Sequence, residues 1–475
     1  MRRLPLPALL LLSACVAPSL DAGRSPRTAE ALGVASLSGD AAIRWPGQDW
    51  WRAYGDPQLD ALIAEAQAGS PDVAAAEARL RRAAAQLGQA RAATLPSLEA
   101  NGSAALSKQS YNNGIPAEFV PRGYNDVGRA TLDFGYELDF WGRNRAAIGA
   151  ATSDLRAAEA DRAAAAVMLA TSVATTYAQL AQLTAVRDVA VASIALREQT
   201  LGLVRRRVRE GLDTQGEEQS ALAGAAAARE ALGGTDESLA LTRNALAALL
   251  GAGPDRGRTI TPPTLARLAA FGLPARLGAD LIGRKPEIVA ARWRVEAAAR
   301  RIGVARADFY PNINLAAFIG AQSLGLSNLV VGGSDIGQVG PAIRLPIFDG
   351  GRRKANLRGA EADYALAVAQ YDSALVQALQ DVADAATSAR ALAGRLADSR
   401  AALAAQEEAN RIARLRYTGG LADYQSVLIA EDNVLQRRRL LADLQARAFT
   451  LDVALVRALG GGYAAPAIVA RNEVP

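Results

Sequence analysis

The sequence predicts a mainly helical chain, written twice, whose few strands belong to a membrane β-barrel that one copy cannot close. Three observations lead there. Blocks of text recur at fixed offsets, long helical stretches contain no proline, and short segments between them alternate apolar with polar residues.

The duplication comes first, because a missed repeat misreads a whole fold. Pro71-Asp72-Val73 opens a stretch running through Gly88 and Ala90-Arg91-Ala92 to Pro96; Pro286-Glu287-Ile288 opens another, through Gly303 and Ala305-Arg306-Ala307 to Pro311. The offset is constant, since 286 − 71 and 311 − 96 both give 215. Gly142-Arg143 matches Gly351-Arg352, Gly211-Leu212 matches Gly420-Leu421, and Leu250-Gly251 matches Leu459-Gly460, each pair 209 apart. The expected organisation is a leader at 1–14, a tether at 15–44, a first repeat at 45–262, a second at 263–462 and a tail at 463–475.

Each copy changes period in the same order. A helical segment (about 57–93, and 276–308) precedes two strands and then a long helical region. The long regions lack proline between Pro121 and Pro254 and between Pro346 and Pro466. In the first, Val173, Tyr177, Leu180, Ala190, Ile194, Leu201, Val204 and Val208 sit mostly three, four or seven apart. In the second, Leu375, Leu379, Val382, Ala386, Ala389, Ala393, Leu396 and Leu403 form a heptad-like seam. A helix over 145–209 would be about 100 Å long at 1.5 Å per residue, more than a compact domain needs. The polar turns at 209–213 and 418–423, with Gly211 and Gly420 at equivalent places, reverse the chain and predict two long helical hairpins.

The strands alternate. Ala130, Leu132, Phe134, Tyr136, Leu138 and Phe140 share one face, and Thr131, Asp133, Gly135, Glu137 and Asp139 the other. Leu98, Ala100, Gly102, Ala104 and Leu106 oppose Glu99, Asn101, Ser103 and Ser107. Strands near 312–322 and 338–347 alternate less cleanly, with Val339, Ile343, Leu345 and Ile347 facing away from Gln338 and Arg344. Apolar-out, polar-in strands of about ten residues mark a transmembrane barrel with a wet interior. A soluble sheet with one buried face alternates in the same way. The aromatic strand end Phe140-Trp141 and the N-terminus favour the barrel. Four strands are too few to close one, as the smallest single-chain barrels use about eight, so several copies must contribute. Asp133, Glu137, Asp139 and Arg344 are the candidate pore-lining residues; a plain solvated face is the alternative.

At the N-terminus Arg2 and Arg3 precede a short apolar run, Leu4 to Leu12, and then Ser13-Ala14-Cys15. The run is far shorter than the roughly 20 residues a bilayer requires and reads as a signal peptide. Small residues before the only cysteine resemble a bacterial lipobox, making Cys15 the expected lipidated first residue of the mature chain. Losing Arg2 and Arg3 lowers the net charge from +5 to +3. With no histidine and one cysteine, imidazole catalysis, ordinary zinc sites and internal disulfides are excluded. No cofactor is expected. Arginine alternates with Asp and Glu along the helices instead of gathering in one patch, so no nucleic-acid partner is expected. The chain has no phosphate loop and no G-x-S-x-G elbow, and is not expected to be an enzyme.

Several runs resemble one family, the TolC-like outer-membrane efflux proteins, in their NodT-type lipoprotein branch. They are Trp50-Trp51-Arg52-Ala53-Tyr54-Gly55-Asp56-Pro57-Gln58-Leu59, Arg284-Lys285-Pro286-Glu287-Ile288, Ile302-Gly303-Val304-Ala305-Arg306-Ala307 and Ile347-Phe348-Asp349-Gly350-Gly351-Arg352. The resemblance covers essentially the whole mature chain. It implies a homotrimer with a twelve-stranded barrel in the outer membrane above a periplasmic helical tunnel, anchored in lipid. It further implies docking to a periplasmic adaptor, through the hairpin turns at Gly211 and Gly420, and to an inner-membrane transporter that supplies the energy. Small molecules such as drugs and toxic metabolites are the expected cargo; a channel for protein secretion, or a structural periplasmic coiled-coil lipoprotein, are the alternatives.

Acidic residues after the second-hairpin turn ring the closed constriction in such relatives. The aligned positions here are Ser426 and Ile429, and the nearest acids are Asp423, Glu431 and Asp432. Tyr417 matches a tyrosine that holds the tunnel shut in relatives, with simple coiled-coil packing as the alternative. Tyr417, Asp423, Glu431 and Asp432 are therefore the gate candidates. Since Tyr417 and Asp423 occur in the second copy alone, that hairpin is expected to make the closing contacts.

Overall fold

A computed structural model describes residues 25–33, 45–263 and 283–464. The leader and Cys15 lie outside the described residues. The chain packs as two compact units, one from 80–158 and 291–371, the other from 27–79, 159–290 and 372–464.

The duplication is repeated element for element. Helix α1 (Pro57–Gly69) and α2 (Pro71–Ala92) lead to strands β1 (Ser97–Ser107) and β2 (Asn125–Glu137). Then come α3 (Arg143–Arg209), α4 (Gln215–Leu249) and the short α5 (Pro254–Arg258). In the second copy α6 (Pro286–Ala307) leads to β3 (Asn312–Leu324) and β4 (Asp335–Arg344), then α7 (Arg352–Thr418) and α8 (Tyr424–Ala458). Helices α3 and α7 have 67 residues each, and α4 and α8 have 35 each. The segment expected as one helix over 57–93 is broken at Ser70, whose ψ of 125° is extended. Pro71 is the cause: its ring disfavours the helical conformation of the residue before it.

The helical unit is built around the tryptophan-rich segment. Trp50, Trp51 and Tyr54 form a short 3-10 turn and are buried with Leu59, Ile63, Val173, Leu180, Leu246 and Phe449. Tyr54 packs on Phe449 at 4.4 Å and its hydroxyl donates to Asp452 at 2.6 Å, so the buried phenol has a partner. Asp56 caps α1, accepting from the Gln58 and Leu59 N–H groups, with Pro57 at the first position, where its missing N–H costs nothing. The same carboxylate accepts the Tyr177 hydroxyl at 2.6 Å, tying the start of α1 to the middle of α3. The two copies also share a close backbone approach. Gly251 and Gly460 adopt φ of 71° and 92°, and a Cβ there would run into the carbonyl oxygens of Gly69 and Arg284 respectively. Gly69 and Arg284 stand 215 apart, and Gly251 and Gly460 stand 209 apart, so both copies make the contact at equivalent positions.

The other unit holds one four-stranded antiparallel sheet in the order β1-β2-β3-β4. Direct partners share a face, and the register sorts them cleanly. Leu98 pairs with Phe134 and Ala100 with Leu132; Leu132 pairs with Ile319, Phe134 with Ala317, and Ala317 with Val339. The apolar face is exposed, with Leu98, Leu106, Leu132, Ile319, Val339 and Ile343 all open within one chain. Strand β2 ends at Glu137, so Asp139 lies beyond the strand on which alternation placed it. Strand β4 ends at Arg344, three residues short of the expected 347. The edges β1 and β4 are left unpaired within the chain.

Candidate functional site

The polar face of the sheet carries Glu99, Asn101, Thr131, Asp133, Asn314, Gln322 and Arg344, with Glu99 directly opposite Asp133. Two carboxylates facing each other repel unless something else satisfies them. Asp133 accepts from the Asn101 amide at 2.9 Å and the Thr131 hydroxyl at 2.8 Å. Arg129 on the same face donates to Gln322 at 3.0 Å and lies over the Phe318 ring at 5.1 Å.

Two of the sequence-predicted lining carboxylates are engaged elsewhere. Glu137 sits 3.6 Å from Arg143, at the start of α3. Asp139 accepts the N–H groups of Asn144 and Arg145 at 3.1 and 2.9 Å, holding the corner from β2 into α3. It is a corner-forming residue, because orphan N–H groups at a helix start are a strong pull for a nearby carboxylate. Glu99 instead shares the polar face with Asp133, and strand alternation alone identifies it.

The second region lies at the hairpin tips. Gly211 and Gly420 both turn the chain with φ near 70° (71° and 74°), and the N–H groups of Leu212 and Leu421 bond back to Arg207 and Arg416 carbonyls at 2.8 Å. Each following helix is capped. Thr214 and Glu217 form a reciprocal capping box at the start of α4. Asp423, at the equivalent position of the second copy, accepts from the Ser426 N–H at 2.9 Å and hydroxyl at 2.6 Å. Those bonds hold its carboxyl below the ordinary aspartate range. Asp423 is thus an exposed helix cap, outside the cluster that contains Tyr417.

Tyr417 is buried among Leu201, Val204, Ala221, Ala225, Tyr424 and Val427. Its hydroxyl donates to Asp213, in the turn of the first hairpin. Arg207 completes the cluster: its Nε lies 3.0 Å from Asp213, its guanidinium sits 4.6 Å above the Tyr417 ring, and it donates to the Tyr417 carbonyl at 3.2 Å. Burial and the hydrogen bond to Asp213 raise the Tyr417 phenol well above its usual range, and Asp213 raises Arg207. The contacts at the tip therefore join the two copies; they do not belong to the second hairpin alone. Asp213 has no acidic counterpart in the second copy, where Ala422 stands 209 residues on.

Further along α8, Glu431 is fully buried, accepts the Thr200 hydroxyl at 2.8 Å, and pairs with buried Arg197 at 2.9 Å. Asp432 takes the other arm of the same guanidinium. Burial pushes the Glu431 carboxyl up, against the opposing pull of Thr200 and Arg197. Glu431 therefore joins α8 to α3 from inside the packing and presents no carboxylate to a tunnel. No pattern in the sequence pointed to Arg197, which lies 234 residues from Glu431.

The comparisons with known proteins agree. The model of the outer membrane efflux protein family matches residues 62–252 and 277–461. The crystal structure of the outer membrane protein VceC from Vibrio cholerae superposes with a TM-score of 0.83 at 46% identity, covering 88% of this chain and 100% of that one. The fusaric acid resistance protein FusA of Burkholderia cepacia is 38% identical over 363 residues, 74% of this chain and 68% of its own. The multidrug resistance outer membrane protein MdtP of Escherichia coli K12 is 31% identical over 443 residues, 91% of this chain and 90% of its own. The open edges of the sheet are resolved in a trimer of the kind these solved channels form, with four strands from each copy in a twelve-stranded barrel and the helical hairpins in a tunnel. A duplicated chain with an apolar outer sheet face, a polar inner one and paired long hairpins is an outer-membrane efflux channel, and it belongs to the outer membrane efflux protein family.

Proposed function

We propose that this channel is the passive outer conduit of a tripartite exporter, carrying drugs and toxic metabolites received from an inner-membrane transporter and a periplasmic adaptor. Lipid on Cys15 anchors each subunit beside the barrel. The closed state is held at the periplasmic mouth by Tyr417, Asp213 and Arg207, and the turns at Gly211 and Gly420 are where the adaptor grips.

The observation that carries this reading is the hydrogen bond from Tyr417 to Asp213 across the two hairpins. A buried phenol bonded to a buried carboxylate is a contact with two discrete states, made or broken, as a gate requires. The multidrug and fusaric acid resistance of the relatives supports small-molecule cargo over protein. The purified trimer in planar bilayers should rest at low conductance, and an Asp213→Ala variant should rest at a conductance several-fold higher. Equal resting conductance in the two, with equal trimer yield, overturns the gate.

A further inference from the structure

At the base of the sheet a recess of about 580 Å³ is lined by residues of β2, β3 and the starts of α3 and α7. Its charges do not balance. The acids of its wall are all engaged: Arg143 holds Glu137 and Asp308, at 3.6 and 3.0 Å, and Asp139 is bonded to the α3 backbone and lies 3.6 Å from Arg145. Arg353 is paired with Asp349 at 3.3 Å. The guanidinium groups of Arg344 and Arg352, which also line the recess, have no hydrogen bond or ion pair within contact distance among the described residues.

The duplication sharpens the point. Arg143 and Arg352 are equivalent under the 209-residue shift, and each is the first residue of a 67-residue helix. A cation there opposes the helix dipole and calls for a compensating anion. Arg143 has two. For Arg352 the shifted position of Glu137 is Pro346, and Asp308 itself corresponds to Ala93 in the first copy, so the duplication supplies Arg352 with neither; Asp349, the acid that does act on it, is already paired with Arg353.

We infer that the recess binds a small organic carboxylate, held between the Arg344 and Arg352 guanidinium groups. Guanidinium matches a carboxylate with paired, charge-assisted hydrogen bonds. Beside the two cations Trp141 provides a flat apolar wall, fixed by its stack on Tyr310 at 4.8 Å and by donation to the Pro311 carbonyl at 2.7 Å. An inorganic anion gains nothing from such a wall. Asn314 and Arg344 belong to the polar face of the sheet, so on the channel reading, on which this inference rests for its location, the recess opens on the lumen and away from lipid phosphates. Threefold symmetry gives three such sites around the conduit.

Equilibrium dialysis of labelled benzoate against the detergent-solubilised trimer at low salt tests this without relying on conduction. Three benzoates per trimer are expected, with affinity lowered at least tenfold in Arg344→Gln and in Arg352→Gln. It should be unchanged in Lys354→Gln, which removes a neighbouring exposed cation outside the recess. Absence of binding in the wild type, full binding in Arg352→Gln, equal loss in Lys354→Gln, or displacement by inorganic phosphate as effective as by benzoate itself each overturns the assignment. If Arg344→Gln dissociates the trimer while Arg352→Gln binds normally, Arg344 serves the subunit seam and the site is likewise overturned. Conductance in bilayers, measured on the same preparation, separates the two readings: a conducting trimer that binds no benzoate removes the site and keeps the channel, and a binding trimer that does not conduct does the reverse.

Discussion

The Tyr417 hydroxyl, carried by the second hairpin, donates to the Asp213 carboxylate in the turn of the first. Losing one hydrogen bond to a buried charge costs about 1.5–3 kcal/mol, equivalent to a roughly 10- to 100-fold shift between closed and open populations. Tyr417→Phe should raise resting conductance in bilayers and make cells sensitive to vancomycin. Wild-type values in both assays at normal trimer levels would show that the bond does not close the channel.

Arg197 and Glu431 form the buried link between α3 and α8. Removing Arg197 strands the buried Glu431 charge, at a cost of about 3–5 kcal/mol. Arg197→Ala should therefore lower the melting temperature and loosen hydrogen-exchange protection along the first turns of α8. Replacing both residues with leucine should cost much less than the two single changes added together. A double variant as unstable as that sum would mean the pair is not a closed electrostatic unit.

Asp423 supplies the pH dependence. Its pKa is lowered in the folded state, so the unfolded tip binds more protons between that lowered value and the ordinary aspartate value. The cap's contribution is complete above the ordinary value and disappears as pH falls through the lowered one. Protection factors at the start of α8 should hold level from pH 7 to 5 and drop below pH 4. Asparagine caps without titrating, so Asp423→Asn should flatten the curve; an unchanged drop would assign it to another group.

In the barrel, Glu99 and Asp133 face each other on the polar side. Three subunits would bring six such carboxylates to one level of the lumen, a ring that attracts cations against the arginines elsewhere on the same face. Glu99→Gln with Asp133→Asn should shift the reversal potential in a salt gradient toward anions. Asp139→Asn should leave it where it was, since that side chain is bonded to the α3 backbone. The opposite pattern would put Asp139 in the lumen after all.

Cys15 is the expected lipid attachment point. Cys15→Ser should abolish metabolic labelling with palmitate, while the trimer still assembles because the barrel holds it in the membrane. Label retained on the serine variant would end the lipoprotein assignment.

Much of this architecture was legible in the sequence because it is periodic. The constant offsets gave the duplication, and side-chain alternation gave the two sheet faces, because a strand turns its residues up and down regardless of what surrounds it. Asp139 was misplaced for the same reason. Leu138 and Phe140 continue the alternation past Glu137, and periodicity cannot register that a carboxylate has turned aside to cap a helix. The break at Ser70 was readable from Pro71. The pairings that close the tip and brace α8 were not. Asp213 lies 204 residues from Tyr417, and Arg197 lies 234 from Glu431, distances at which only the folded chain decides who meets whom. The family's acidic positions hold Ser426 and Ile429 here, so the resemblance offered no substitute.

A strand paired one residue out of step would turn Glu99, Arg129 and Asp133 toward hydrocarbon and Leu132, Ile319 and Val339 toward water. Within the chain, the cross-strand pairs of β2 with β1 and β3 fix that alignment. Between chains no covalent turn restrains β1 of one copy against β4 of the next, and the seam is repeated three times. A single cation at the bilayer midplane costs about 2–4 kcal/mol, so a slipped seam is penalised many times over as soon as it enters lipid. The membrane thereby selects among assemblies: the bilayer favours the closed cylinder whose seams are in register over any that turns these charges to lipid.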